Sequence, residues 1–305
     1  MKRLTTATAI IAMSSAGALA GGIDRTGQFL GPLFEKGGET GQYTEFSFRI
    51  ADPQASAAAI PADPLAGFSN VGFAYKTDIT DQLSFALILD QPFGADVDYR
   101  PVIQGFAFID ATAVTGVARY KFNDTWSVHG GLRLQEIGGS IQTTVGGVPF
   151  NLTASSDYAV GALAGVAYER PDIALRVALT YNSEIDQSLT GTEINLAGPT
   201  VSQTNFTVTT PASWNLEFQT GIAQNTLLFG SVRYVEWEGF NLSTPAAGQY
   251  VNFTDDTTTY SLGIGRRFNE NWSGAIVVGY EEGDDTTNTL LAPTDGFTTL
   301  GLGAT

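Results

Sequence analysis

The run Thr259-Tyr260-Ser261-Leu262-Gly263-Ile264 leads into the polar turn Phe268-Asn269-Glu270-Asn271-Trp272, and the chain returns through Ile276, Val278 and Tyr280. Successive side chains of a strand point to opposite faces, so residues two apart share a face. Tyr260, Leu262 and Ile264 therefore stand against Thr259, Ser261 and Gly263. After the turn, Trp272, Ile276, Val278 and Tyr280 stand against Ser273, Ala275 and Gly279. The pattern predicts a β-hairpin with aromatics on both sides of a tight turn. Long alternating segments with aromatics at their ends suit a barrel in a bilayer, where one face meets lipid and the other meets the lumen.

The unit recurs. Turn-like stretches stand at Thr77-Asp78, Asn123-Asp124, Pro171-Asp172, Gln224-Asn225 and Asn269-Glu270, with steps of 46, 48, 53 and 45 residues between Asp78, Asp124, Asp172, Asn225 and Glu270. Tyr75, Phe122, Tyr168 and Phe268 precede four of these turns. A period near 45 also suits propeller blades, but a blade needs four short strands and each period here holds two long ones. Twelve candidate strands follow, joined alternately by short turns and long loops, as short periplasmic turns and longer extracellular loops require.

Working outward, the N-terminus opens with Lys2-Arg3, an apolar stretch from Leu4 to Gly17, and Ala18-Leu19-Ala20. This predicts a secretory signal over 1–20, cleaved after about Ala20. No later stretch reaches the length of apolar sequence that a membrane helix needs. The chain has no Cys, one His, 35 Gly and 19 Phe. Zero Cys excludes a disulfide scaffold and thiolate metal sites. A mean hydropathy of +0.03 is too polar for a helical membrane protein and fits alternating faces. The net charge of −16 excludes nucleic acid as a partner, since that needs basic surface to displace phosphate counterions. Much of the acid falls between strands, as at Asp255-Asp256, and reads as solvated loops.

Residues 21–41 are Gly-rich without clear periodicity, with Phe29, Leu33 and Phe34 as apolar points. Strand one is expected over 42–50, strand two over 70–76 with Val71, Phe73 and Tyr75 outward, and strand three from Leu83 with Phe85, Leu87 and Leu89 toward lipid. At Asp90-Gln91-Pro92-Phe93-Gly94 strand three should break, because proline cannot donate to a ladder and glycine marks a bulge or bend. Strand four is expected over 112–122. From Trp126, a polar row of Ser127, His129, Arg133 and Gln135 alternates with Val128, Leu132 and Leu134. Arg176 lies between Leu175 and Val177, and Asn215, Glu217 and Gln219 alternate with Trp214, Leu216 and Phe218. Such rows must face water or protein. His129, Arg133 and Arg176 are thus lumen candidates, able to pair with lumen acids or to hold a ligand's carboxylate.

The chain resembles the outer-membrane transport proteins for long-chain fatty acids and hydrocarbons, the FadL/TodX type. The resemblance rests on the run from Asp90 to Asp96, on Thr210-Pro211-Ala212-Ser213-Trp214-Asn215, on the Asn269-Glu270-Asn271-Trp272-Ser273 turn, and on Ala292-Pro293-Thr294-Asp295. It implies a 14-stranded barrel whose N-terminal segment folds into the lumen as a hatch, with a kink in the third strand as a lateral opening. On that reading residues 21–41 are the hatch, with Phe29, Leu33 and Phe34 packing it or lining the path, and Pro92, Phe93 and Gly94 mark the opening. Residues 42–305 are the transmembrane barrel of about twelve strands, expected to be C-terminally incomplete because the chain stops inside an apparent strand and Thr305 is not a terminal aromatic, the alternative being a barrel that closes with twelve.

The function expected is passive uptake of a long-chain fatty acid or other hydrophobic small molecule by a monomer set in outer-membrane lipid and lipopolysaccharide. The alternative is a diffusion porin for small polar solutes, which would need facing charge ladders in an open lumen; the chain has only 15 Lys and Arg. No nucleophile elbow, paired-histidine metal motif or phosphate loop is present, so neither an enzyme, a cofactor nor a metal site is expected.

Overall fold

The computed structural model describes residues 23–54, 63–101, 103–198, 200–283 and 296–304. The signal expected over 1–20 and the run 292–295 lie outside them. The strands are β1 (Gln42–Ala51), β2 (Phe68–Asp78), β3 (Leu83–Asp90), β4 (Gly94–Asp98), β5 (Phe106–Lys121) and β6 (Trp126–Val145). They continue as β7 (Val148–Arg170), β8 (Leu175–Asn182), β9 (Ile185–Asn195), β10 (Thr200–Thr210), β11 (Ser213–Ala223) and β12 (Thr226–Val235). Last come β13 (Asn241–Thr244), β14 (Gly248–Asn252), β15 (Thr257–Arg267), β16 (Ser273–Glu281) and β17 (Phe297–Ala304). Among the described residues no helix is long and apolar enough to cross a membrane.

The wall is antiparallel and runs β1-β2-β3-β5-β6-β7-β8-β11-β12-β15-β16-β17, twelve strands in one path. This is the transmembrane up-and-down β-barrel that the alternation predicts, with β1 and β17 at the two ends of the path. The five short turns fall at one rim. At Asn269 the reason is local: its side-chain oxygen accepts the backbone N–H of Asn271 and Trp272, both at 2.9 Å, which closes the turn.

The outward faces carry the apolar residues. Tyr260, Leu262 and Ile264 are exposed, as are Leu132 and Leu134, whereas Ser127, His129, Arg133 and Gln135 on the opposite face are buried. Aromatics mark both edges of the lipid band. Trp126 meets Tyr168 near the short turns, and Tyr181 meets Trp214 toward the other rim. On β7 the ten residue steps from Tyr168 to the outward Tyr158, tilted as barrel strands are, rise about 25 Å, the height of the apolar band of an outer-membrane barrel.

Two expectations are corrected. The strand expected over 112–122 begins earlier, at Phe106. Alternation there is masked because Phe106 and Ala107 are both buried, the outer end of β5 having no lipid-facing side. The long extracellular connections are also partly strand. β6 and β7 run on to a two-residue turn at Gly146-Gly147, whose φ of +57° and +84° give the twist that a two-residue hairpin needs. β9 pairs with the outer part of β7 and then with β10, extending the wall above the lipid band.

Two apolar clusters fill the interior. An outer one joins Ile23, Phe93, Val97, Leu189, Val235 and Trp237 among others, and Trp237 is packed edge-on by Phe93, Phe240 and Phe253. An inner one sets Leu30, Leu33 and Phe34 against small wall residues such as Ala74, Ala86 and Val117.

Candidate functional site: a filled lumen beside a broken wall

Residues 23–41 thread the barrel from the middle of the wall to the rim of short turns. At the rim the Asp78 N–H donates to the Gly41 carbonyl at 2.9 Å, and the chain turns into β1. Above it lies a single helical turn, α1 (Gly31–Phe34), with Pro32 near its start and Leu33 fully buried. The backbone here lacks a ladder, so its polar groups take partners from the lumen face. Asn215 Nδ2 donates to the Gly27 carbonyl at 2.7 Å, and the Leu30 N–H reaches Glu217 Oε2 at 3.4 Å.

Arg233 on β12 is the main anchor of this segment. It donates to both carboxylate oxygens of Asp24 (2.9 and 3.0 Å), to the Gly27 carbonyl at 3.3 Å, and to Ser213 and Asn215, both at 2.9 Å. Asp24 and Arg233 are both buried. The lower anchor is Phe34. Its ring lies between the guanidinium groups of Arg119 (4.6 Å) and Arg176 (4.8 Å), with His129 edge-on at 5.7 Å. Cations over a ring face are attracted by its quadrupole, more so when desolvated. Arg119 is itself held by Glu169 and Ser127.

The break in the wall falls where the sequence places it. β3 ends at Asp90 and β4 begins at Gly94. Before the break Leu89 pairs with Val114, and after it Gly94 pairs with Asp110. One extra residue has been inserted, which exchanges the two faces of the strand. In β3 the odd-numbered residues face lipid; in β4 the odd-numbered Ala95, Val97 and Tyr99 are buried in the outer core. β2 pairs with β3 only from Phe73 to Asp78, so the stretch from Phe68 to Gly72 has no ladder partner on that side. Gln91 partly bridges the gap, its side-chain oxygen accepting the Val71 N–H at 2.9 Å. From inside, the Arg25 and Thr26 N–H groups donate to the Pro92 carbonyl (2.8 and 3.2 Å), and the Gly94 N–H donates to the Ile23 carbonyl at 2.8 Å. Thr26 Oγ1 also meets Asp90 at 3.2 Å.

Two cavities flank this arrangement. One of about 140 Å³ lies between the threaded segment and β1–β3 and is bordered by Phe29, Glu35, Arg49, Asp90, Arg176 and Glu217. The other, of about 40 Å³, sits in the outer half among Ile137, Ile141, Leu152, Leu189, Phe206 and Leu242, with no charged group in its lining.

Of the residues singled out from sequence, the structure brings Phe34, His129 and Arg176 together at the lower anchor, and His129 Nε2 lies 2.8 Å from Thr180 Oγ1. Arg133 is buried higher in the lumen on Thr115 (3.0 Å) and Asn182 (3.1 Å), apart from the threaded segment. Leu33 packs the wall, and Phe29 borders the larger cavity. Phe93 points into the outer core, while Pro92 and Gly94 hold the threaded backbone. Sequence reasoning passed over Arg233, whose face of β12 carries Leu227, Phe229 and Val235 beside Ser231 and so shows no polar row. Asp24 and Arg25 lie where no periodicity exists to mark them.

A strand wall that is apolar outside and polar inside, with part of the chain threaded through its lumen, defines the class of transmembrane β-barrels. The family described as outer membrane protein transport protein (OMPP1/FadL/TodX) matches residues 40–305, and the chain belongs to it. It is thus an outer-membrane protein of a family that transports hydrophobic compounds and is not enzymatic. Among solved structures it is similar to a Pseudomonas aeruginosa FadL homologue, with a TM-score of 0.68, 14% identity, and 86% of this chain and 76% of that one covered. It is also similar to the CymD monoaromatic hydrocarbon channel, with a TM-score of 0.58, 14% identity, and coverage of 94% and 85%. The Ralstonia pickettii toluene transporter TbuX gives a TM-score of 0.58 at 14% identity, with 86% and 78% covered. A sequence search among curated proteins finds no match.

Proposed function

We propose that the protein is a passive conduit for small hydrophobic molecules that leave sideways, through the break between β2 and β4, into the outer membrane. The observation that carries this is the stretch from Phe68 to Gly72, paired with β1 but left without a partner on its other side, where it faces a strand that has bulged away from it. A closed ladder offers no exit toward lipid, and a bulge next to unpaired backbone does. The N-terminal segment acts as the hatch: it lies beside the break and must shift for a ligand to pass from the outer half to the opening. A diffusion porin is disfavoured because this segment fills the lumen with buried side chains, Leu30 and Leu33 among them.

The ligand class follows from the outer cavity. Its lining is apolar, so a neutral hydrocarbon seated there as the cavity widens leaves no polar group unpaired, whereas a carboxylate would have to shed its hydration unpaired. An uncharged hydrocarbon is therefore favoured over a long-chain fatty acid, in keeping with the monoaromatic hydrocarbon and toluene channels among the similar structures.

The test uses the absence of native cysteine. Val71→Cys and Gln91→Cys, joined by a short cleavable thiol cross-linker, pin the gap shut. Uptake of labelled toluene by cells lacking their own channel should fall on cross-linking and return on cleavage. Undiminished uptake in the cross-linked protein refutes lateral exit. Oleate uptake exceeding toluene uptake refutes the ligand class.

A further inference from the structure

We infer that Arg25 is the bolt of the lateral opening: it reaches from the hatch through the wall and is held by two carboxylates on the outer face of the barrel. The inference rests on the lateral-exit reading and adds to it the residue that couples hatch to opening.

The faces of the strands establish the geometry. On β5 the even-numbered residues face outward, with Tyr120 exposed at one end and Asp110 at the other, the Asp110 side chain 79% exposed. Gly94 pairs directly with Asp110, and Asp96 lies two residues on, so all three share that outer face. Arg25 belongs to the hatch, and its backbone N–H donates inside the break to the Pro92 carbonyl. Its guanidinium nevertheless forms ion pairs with Asp96 and, at 3.3 Å, with Asp110. It also lies 4.5 Å from the Phe68 ring, on the stretch of β2 that has no partner on its β3 side. The side chain therefore crosses the wall between β2 and β4.

Gly94 makes the crossing possible. A Cβ at that position would overlap the Arg25 guanidinium, so any other residue there would displace the guanidinium from its place. The bolt itself is only 4% exposed, and both edges of the gap contribute to holding it: β4 and β5 through charge, β2 through an aromatic ring. Charge-assisted hydrogen bonds of this kind hold position well while remaining reversible. Any displacement of residues 23–28 by an arriving ligand withdraws the guanidinium and clears the gap. Hatch movement and opening are then a single event.

The experiment follows the gap and the cargo separately. A thiol introduced by Thr26→Cys sits just inside the opening, and its reaction with a lipid-soluble maleimide reports access from the membrane. Correct assembly is read from heat-modifiable gel mobility. In this background Arg25→Gln should raise labelling about tenfold, the scale of one or two lost charged hydrogen bonds, and raise toluene uptake with it. Reversing the pair, Arg25→Asp with Asp96→Arg, should return labelling toward the parent. Unchanged labelling in Arg25→Gln, or a reversed pair no better than the single change, overturns the bolt. Raised labelling combined with toluene uptake that cross-linking at 71 and 91 does not reduce keeps the bolt and sinks lateral exit instead.

Discussion

Arg233→Leu should unseat the hatch while leaving the barrel standing. The buried guanidinium is paired with a buried carboxylate, Asp24, and shares further hydrogen bonds with Gly27, Ser213 and Asn215. Removing one partner of such a pair leaves the other charge buried alone, at about 3–5 kcal/mol. At about 1.4 kcal/mol per tenfold, the ratio of seated to released hatch should fall by roughly two to three and a half orders of magnitude. β12 keeps its ladders to β11 and β15 throughout its length, so assembly should survive. The assay is hydrogen exchange at the Arg25 and Thr26 amides, which in the seated state donate to the Pro92 carbonyl. Their protection should drop sharply, with ladder amides of β12 unchanged. Asp24→Leu combined with Arg233→Leu removes both charges and should recover part of the protection, because replacing a buried pair with apolar residues is often neutral. Full protection in the single variant, or a double variant worse than the single, would refute the reasoning.

Three further outcomes are expected. Phe34→Ala empties the space between Arg119 and Arg176 and should loosen the lower hatch by about 3–5 kcal/mol, read as faster exchange at the Leu33 and Glu35 amides, both of which are hydrogen-bonded. Burial pushes the hatch carboxyl of Glu35 up to about 7, with Arg176 opposing the shift. A raised carboxyl means that the seated hatch holds a proton the released one gives up. Seating should therefore weaken as pH rises from about 4.5 to about 7, by on the order of 3 kcal/mol, and then level off. Bilayer conductance measured between pH 5 and 8 should rise over that window, and Glu35→Gln should flatten the curve. Ile137→Phe fills the outer cavity and should reduce toluene binding by calorimetry without changing heat-modifiable mobility.

The barrel is legible in the sequence because lipid and lumen impose opposite chemistry on alternate residues. Tyr260 and Leu262 against Ser261 announce the strand before any partner is known, and Pro92 with Gly94 announces its interruption by the hydrogen bond one cannot give and the side chain the other lacks. Legibility ends where that constraint ends. The outer part of β5 is buried on a side that deeper strands show to lipid, so its start at Phe106 is hidden. The hatch is held by single side chains reaching across more than 200 residues, as Asp24 is by Arg233, and no local spacing encodes such a pair. That an arginine crosses the wall at Gly94 follows only from the face exchange, which needs the register of β3 and β4 on β5.

That exchange keeps two properties of the molecule apart. The residue inserted between Asp90 and Gly94 works like a shift of reading frame within a single strand: everything after it is read on the opposite face. Deleting Gln91 would join Asp90 on Ala113 to Gly94 on Asp110 in a continuous ladder, and because Gly94 and Val97 would keep Asp110 and Ala107 as partners, Val97 would stay in the outer core and Asp96 outside it. The chain could mend its wall by the smallest genetic step and leave its interior as it stands. The break is thereby separable from the fold: one residue sets it, and the packing on either side does not depend on that residue.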